Sequence, residues 1–256
     1  MFNMVNFNKF KTFIFDLDGT LWDYPNPMPG APELISKLRE KGKQILVVTN
    51  FTILSRKGIS KKLKEIDIEI EDDEIINPSV VIAENLFEEN PRVMVFGEGV
   101  KKDLKEVGFK IVEELPVDYL IVSHDMEFDY KKLVLGFEAL KNGAKFIVTS
   151  IDPSYPMEGK IYPGTGAIAS SLEYATEIKP TLFGKPSEYM RLIMEMNVLS
   201  PRKETIFIGD RIDTDVKFAK GSGYKTCLVK TGMYEWVKDS KVKPDYVISN
   251  LKEIKI

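Results

Sequence analysis

The sequence predicts an α/β fold: a parallel-sheet core with a second α/β unit inserted into it. Three observations lead there. Strand and helix patterns alternate along the 256 residues. The first strand, Phe13-Ile14-Phe15, and its later counterparts are continuous apolar runs, as in strands buried on both faces of a parallel sheet. Several of these strands stop abruptly in polar residues, at the edge where ligands collect in open α/β sheets.

Composition narrows the function classes. A chain that is 43% apolar and 29% charged is an ordinary globular mix, and a net charge of −3 argues against a broad nucleic-acid surface. No stretch approaches the roughly 20 apolar residues that cross a bilayer, and Met1 to Lys11 holds no apolar run of signal-peptide length, so the expected location is cytoplasmic. One cysteine, Cys227, and one histidine, His124, leave acid, base and metal work to carboxylates.

The elements follow in order. Ala31, Leu34, Ile35 and Leu38 recur at helical spacing, with Pro32 in the first turn and Gly42 as the stop. Gln44 to Val48 is a second apolar strand, ending in Thr49-Asn50. Ser55 to Ile66 reads as a basic helix with Ile59, Leu63 and Ile66 inward and its lysines solvated. Asn77-Pro78 is an N-cap followed by a first-turn proline, and the inserted unit is placed from there, over 79–181, leaving 1–78 and 182–256 as the discontinuous core.

Inside the insert, strands are expected at Val93–Phe96, Phe109–Val112, Tyr119–Val122 and Phe146–Val148, with helices at Val100–Val107 and Tyr130–Asn142, the latter presenting Leu133, Phe137 and Leu140. Gly97-Glu98-Gly99 lacks the full glycine fingerprint of a phosphate cradle and reads as a tight turn. His124 and Asp125 read as a surface turn after a strand, and Gly164-Thr165-Gly166 opens a helix whose amides could meet an anion. Gly184-Lys185-Pro186 is a turn presenting a lysine, before a helix with Met190, Ile193 and Met194 inward. Thr205 to Ile208 runs into the acidic loop Gly209 to Asp215 and a helix ending near Gly221. Strands at Lys225–Val229 and Tyr246–Ile248 and a surface loop over Asp239–Pro244 complete the chain.

Asp16 and Asp18 stand two residues apart, so in extended geometry both carboxylates project from one side. Unit charges about 4 Å apart repel by roughly 4 kcal/mol at an effective dielectric of about 20, so the pair needs a cation, a shared proton or water. Singly, each feature has an ordinary reading: a solvated acidic turn, a Thr-Asn cap, a solvated loop lysine. Taken in order, Asp16-Leu17-Asp18-Gly19-Thr20, then Thr49-Asn50, then Gly184-Lys185-Pro186, then Asp210 with Asp215, they resemble the four motifs of the haloacid dehalogenase superfamily of phosphohydrolases. Pro29-Gly30-Ala31, Val95 to Gly99 and Tyr162 to Gly166 are similar to its nitrophenylphosphatase-like, or NagD-like, branch, and the large insert between the second and third motifs matches the α/β cap of that branch.

The resemblance implies a Rossmann-like core, a cap, and a phosphatase acting on a small-molecule phosphate ester, with no nucleic-acid or membrane partner and pairing of two copies through the cap. Asp16 would be the nucleophile and Asp18 the general acid and base. Mg2+ would be held by the Asp16 carboxylate, the Asp18 backbone carbonyl and Asp210, with Asp215 behind them. Thr49, the Asn50 amide and Lys185 would hold phosphoryl oxygens. Asp152, Gly164, Thr165 and Gly166 would contribute to substrate choice. The alternative, a receiver-like module that accepts phosphate without turnover, uses a similar Asp, Thr and Lys set but gives no role to the insert or to Asp18.

Overall fold

A computed structural model describes residues 5–86, 89–157, 160–232 and 241–256. Two compact units form: Met1–Thr49 with Ile59–Ile76 and Arg191–Ile256, and Asn50–Gly58 with Asn77–Met190.

The first unit is built on a six-stranded sheet in the order Tyr246–Ile248, Lys225–Val229, Thr205–Gly209, Thr12–Phe15, Gln44–Val48, Ile75–Ile76. Every neighbouring pair is parallel. Thr12–Phe15 is buried at all four positions, which is why it reads as an unbroken apolar run. Phe15 lies opposite both Ile208 and Val47, so the polar residues that follow these three strands emerge along one edge of the sheet. The Ala31–Glu40 helix buries Ala31, Leu34, Ile35 and Leu38, the four positions that the spacing selects. The basic helix runs from Arg56 to Lys64 and buries Ile59 and Leu63; Ile66 falls beyond its end and is half-buried.

The second unit has its own parallel sheet, ordered Thr181–Leu182, Lys145–Val148, Tyr119–Val122, Arg92–Phe96, Lys110–Ile111. Asn77 caps the Pro78–Asn85 helix by accepting the Val80 N–H at 3.3 Å. After Gly97 the chain passes directly into the Glu98–Glu106 helix, two residues ahead of the expected start. In the Tyr130–Lys141 helix the buried face is Gly136, Ala139 and Leu140, while Phe137 is exposed. The absence of a side chain at Gly136 and the small one of Ala139 let the helix lie close over Phe96, Leu120 and Leu172, and that close approach, rather than the larger Phe137, sets which face turns inward.

Two short antiparallel hairpins lie outside the expected pattern: Trp22–Asp23 with Asn26–Pro27, and Ser154–Met157 with Lys160–Pro163. Strands so short, or interrupted by proline, carry no readable alternation. Ile75–Ile76 and Thr181–Leu182 likewise add two-residue edge strands. The loop expected over 239–244 falls partly outside the described residues, at 239–240. Among the described residues no helix is long and apolar enough to cross a membrane.

Candidate active site

Two neighbouring strand ends and the turn after one of them carry the acidic residues together. Asp16 follows Phe15 and its N–H donates to the Ile208 carbonyl at 2.9 Å, extending the sheet ladder by one residue. Asp210 follows the neighbouring Thr205–Gly209 strand. Asp215 returns to the same place because residues Ile212–Val216 form a single wide π turn before the Lys217–Gly221 helix. One carboxylate oxygen from each of Asp16, Asp210 and Asp215 lies within 4.8 Å of the others, and all three residues are buried.

Main-chain groups, not only side chains, hold this cluster. The Arg211 N–H donates to Asp215 Oδ2 at 3.0 Å. Around Asp210 the backbone comes close: a Cβ on Gly19 would stand 2.6 Å from Asp210 Oδ2, and one on Gly232 would stand 2.6 Å from the Gly19 Cα. Gly19 also has φ +74°, a conformation that side chains disfavour, so glycine is required there on both counts. Thr231 Oγ1 donates to the Gly19 carbonyl at 2.6 Å and ties the two loops together.

Buried carboxylates this near one another need compensation by cations or protons. The donor set is all oxygen, with no thiolate or imidazole in it, and that is the ligand chemistry of a hard, small divalent ion such as Mg2+. The residues present therefore fit the metal that the sequence implies.

Asp18 stands apart from this trio. Its side chain is exposed, and its Oδ1 accepts the indole N–H of Trp22 at 2.8 Å. Thr49 is 1% exposed at the end of its strand, its N–H donating to the Ile76 carbonyl at 3.1 Å.

Within the second unit, Asn50 and Lys185 form a pair. The Asn50 side chain grips the main chain of Lys185 at two points, Oδ1 accepting the Lys185 N–H at 2.7 Å and Nδ2 donating to the Lys185 carbonyl at 3.0 Å. Lys185 is 3% exposed. A Cβ on the preceding Gly184 would lie 2.6 Å from Asn50 Oδ1, so glycine is what permits the grip.

Asp152, Gly164, Thr165 and Gly166 also meet in the second unit. The Gly166 N–H donates to the Asp152 carbonyl at 2.9 Å, and the Asp152 carboxylate accepts the Ser150 hydroxyl at 2.6 Å. Thr165 opens the twelve-residue Thr165–Thr176 helix. His124 packs edge-on to Tyr155, ring centroids 4.1 Å apart, and burial pushes its imidazole down to about 4 against a smaller opposing pull from Asp125, so the ring is neutral at pH 7. Asp125 pairs with Lys132 at 2.8 Å.

Four contributors cannot be read from the sequence. Trp22 reaches Asp18 through a turn whose fold-back no periodicity announces. The Asn50 side chain was overlooked in favour of its backbone amide, although Asn is a residue that commonly bonds to main chain. Gly232 and Thr231 lie far along the chain, in a loop without a motif.

Comparison with known proteins places this geometry in a family. Residues 13–110 match the model of the haloacid dehalogenase-like hydrolases, and residues 182–254 match a second model described as HAD-hydrolase-like. An acid sugar phosphatase of Staphylococcus aureus is 32% identical over 251 residues, covering 96% of both chains. The chain belongs to the haloacid dehalogenase superfamily. Within that superfamily it falls in the nitrophenylphosphatase-like, NagD-like branch. A thermostable nitrophenylphosphatase variant from Geobacillus stearothermophilus aligns with TM-score 0.86 at 31% identity, over 96% of this chain and 98% of that one. A p-nitrophenyl phosphatase from Archaeoglobus fulgidus aligns with TM-score 0.85 at 31% identity, over 95% and 97%.

Proposed function

We propose that this phosphoric monoester hydrolase cleaves small-molecule phosphate esters through an aspartyl phosphate formed on Asp16. The observation that carries the reading is the convergence of Asp16 and Asp210, at adjoining strand ends, with Asp215, an all-oxygen cluster, while a separate carboxyl group, Asp18, follows Asp16 two residues later. We assign residues 1–78 and 182–256 to the catalytic core and 79–181 to the cap.

An oxygen of Asp16 attacks phosphorus in line, and the bond to the leaving oxygen breaks as Asp18 delivers it a proton. Asp18, now a carboxylate, takes a proton from the water that attacks the phosphoenzyme, which releases orthophosphate and restores both residues. Thr49, the Asn50 backbone amide and Lys185 hold the phosphoryl oxygens as charge moves among them. When bound by the Asp16 carboxylate, the Asp18 carbonyl and Asp210, Mg2+ supplies Lewis-acid charge to the phosphoryl group. Asp215 is assigned the supporting position, a role that its bond from the Arg211 N–H favours.

The acid sugar phosphatase relative supports sugar phosphates as the first substrates to try, ahead of nucleotides, phosphoglycolate and p-nitrophenyl phosphate. Asp152, Gly164, Thr165 and Gly166 are assigned to substrate choice. Two copies are expected to pair through the cap, covering Tyr130, Val134 and Phe137, which are exposed on one face of their helix. Turnover of p-nitrophenyl phosphate with Mg2+, abolished by EDTA and by Asp16→Asn, is the expected result. Stoichiometric phosphorylation without turnover would replace the proposal with a phosphate-accepting module.

A further inference from the structure

From the bond between the Trp22 indole and Asp18, we infer that Trp22 is a positioning residue that aims the Asp18 proton at the leaving group. The inference rests on the acid role proposed for Asp18. Trp22 is fully buried and its ring packs edge-on to Tyr24, centroids 5.1 Å apart, so the indole cannot turn away. Its backbone is fixed as well: the Gly19 N–H donates to the Trp22 carbonyl at 2.7 Å, and the Trp22 N–H donates to the Leu17 carbonyl at 3.2 Å. The Nε1–H therefore reaches Asp18 Oδ1, 2.8 Å away, from a rigid base, although Asp18 itself is exposed.

An indole nitrogen only donates. A proton on Oδ1 would oppose that N–H, so the acidic proton of Asp18 resides on Oδ2, and the bond to Oδ1 stops the carboxyl group from rotating about Cβ–Cγ. The acid enters the reaction with its proton on one known oxygen, pointed in one direction. The indole bond thereby disfavours rotamers and tautomers unable to protonate the leaving oxygen.

The consequence depends on the leaving group, which a purely structural role for Trp22 would not produce. An alkyl phosphate needs the proton because an alkoxide leaves poorly; p-nitrophenolate leaves with little help. In Trp22→Phe, kcat/KM for glycerol phosphate or a sugar phosphate should fall about tenfold, while kcat/KM for p-nitrophenyl phosphate should change by less than about threefold, since general acid catalysis contributes roughly 10²–10⁴ in all. Asp18→Asn should show the same discrimination more strongly, and adding Trp22→Phe to it should cost no further discrimination, because the two residues act as one unit. A chain carrying β-(3-benzothienyl)alanine at position 22 keeps the shape of indole without its N–H and should behave as Trp22→Phe does, which covers the case in which the smaller ring impairs folding.

Equal losses on both substrate types, or losses that multiply in the Asp18→Asn background, would overturn the role of Trp22 while leaving the acid role of Asp18 intact. Failure of Asp18→Asn itself to discriminate would overturn the acid role and this inference with it.

Discussion

The double hydrogen bond from Asn50 to the main chain of Lys185 gives a sharp quantitative test. Asn50→Ala removes both bonds, 2.7 and 3.0 Å long, and leaves the N–H and carbonyl of a residue only 3% exposed without those partners. A typical bond is worth about 1 kcal/mol net, and stranding buried partners costs more, which makes roughly 3 kcal/mol a reasonable loss for the pair. For a chain of this size that lowers the melting temperature by about 6–12 °C. The catalytic effect is separate. With its backbone no longer held, the Lys185 ammonium drifts from the phosphoryl oxygens it is proposed to bind, and displacements near 1 Å cost about 10² in rate. The assay is thermal unfolding together with kcat/KM on p-nitrophenyl phosphate and the inhibition constant of orthophosphate, which should weaken in step with activity. Asn50→Leu is the informative companion: it keeps the branched heavy-atom skeleton with no polar atoms, so loss of side-chain atoms and loss of hydrogen bonding part company. Were Asn50→Leu to melt with the parent chain and keep its affinity for orthophosphate, the clamp would have no function and the reasoning would fail.

Other outcomes follow from the same geometry. Mg2+ should raise the melting temperature of the parent chain and have no such effect on Asp210→Asn, measured by thermal unfolding in EDTA and in excess metal; an undiminished shift in the variant would remove Asp210 from the ligand set. Gly232→Ala drives a methyl group against the Asp210 carboxylate and the Gly19 backbone, and should abolish most phosphatase activity while the protein remains folded by circular dichroism. Phe137→Glu places a charge on the exposed helix face and should abolish the proposed pairing of two copies, leaving a monomer in light scattering without loss of activity per chain; a parent chain that is itself monomeric would remove the pairing proposal. At Asp245, burial alone would raise the carboxyl, but bonds from Lys220, Lys225 and Thr226 outweigh it and hold the group well below its ordinary range. A depressed folded value means its contribution is complete above the unfolded value near 4 and is lost as pH falls below it, so urea unfolding of Asp245→Asn should show a shallower acid decline than the parent chain.

How much of this could be read from sequence depends on how local the cause is. The buried strands are legible because a two-faced environment favours apolar runs, as in Phe13, Ile14 and Phe15 of the first strand and Cys227, Leu228 and Val229 of a later one. The Ala31–Glu40 helix is legible because its four buried positions carry the period themselves. Phe137 misleads because helix rotation there is decided by small residues against Leu172 and Phe96, partners distant in sequence. In the site, Asp16, Asp210 and Asp215 can be anticipated from strand ends and family resemblance, but the π turn that carries Asp215 back has no side-chain signature. Trp22 and Asn50 act through single hydrogen bonds across turns, and a turn partner cannot be read from spacing.

Trp22 and Asn50 share a physical logic with the glycines around Asp210: each fixes a site residue without adding charge. Three of the site residues have a neutral hydrogen-bonding partner. Asp215 receives a backbone N–H, Asp18 an indole N–H, and Lys185 is gripped through its main chain, so its ammonium is not the group being restrained by Asn50. A lysine side chain in place of Trp22 would add a mobile cation beside the acid. A neutral donor fixes geometry without adding charge. On this argument Trp22→Lys should damage turnover of alkyl phosphates more than Trp22→Phe, even though lysine offers an N–H of its own: the flexible ammonium restores a bond to Asp18 without its direction.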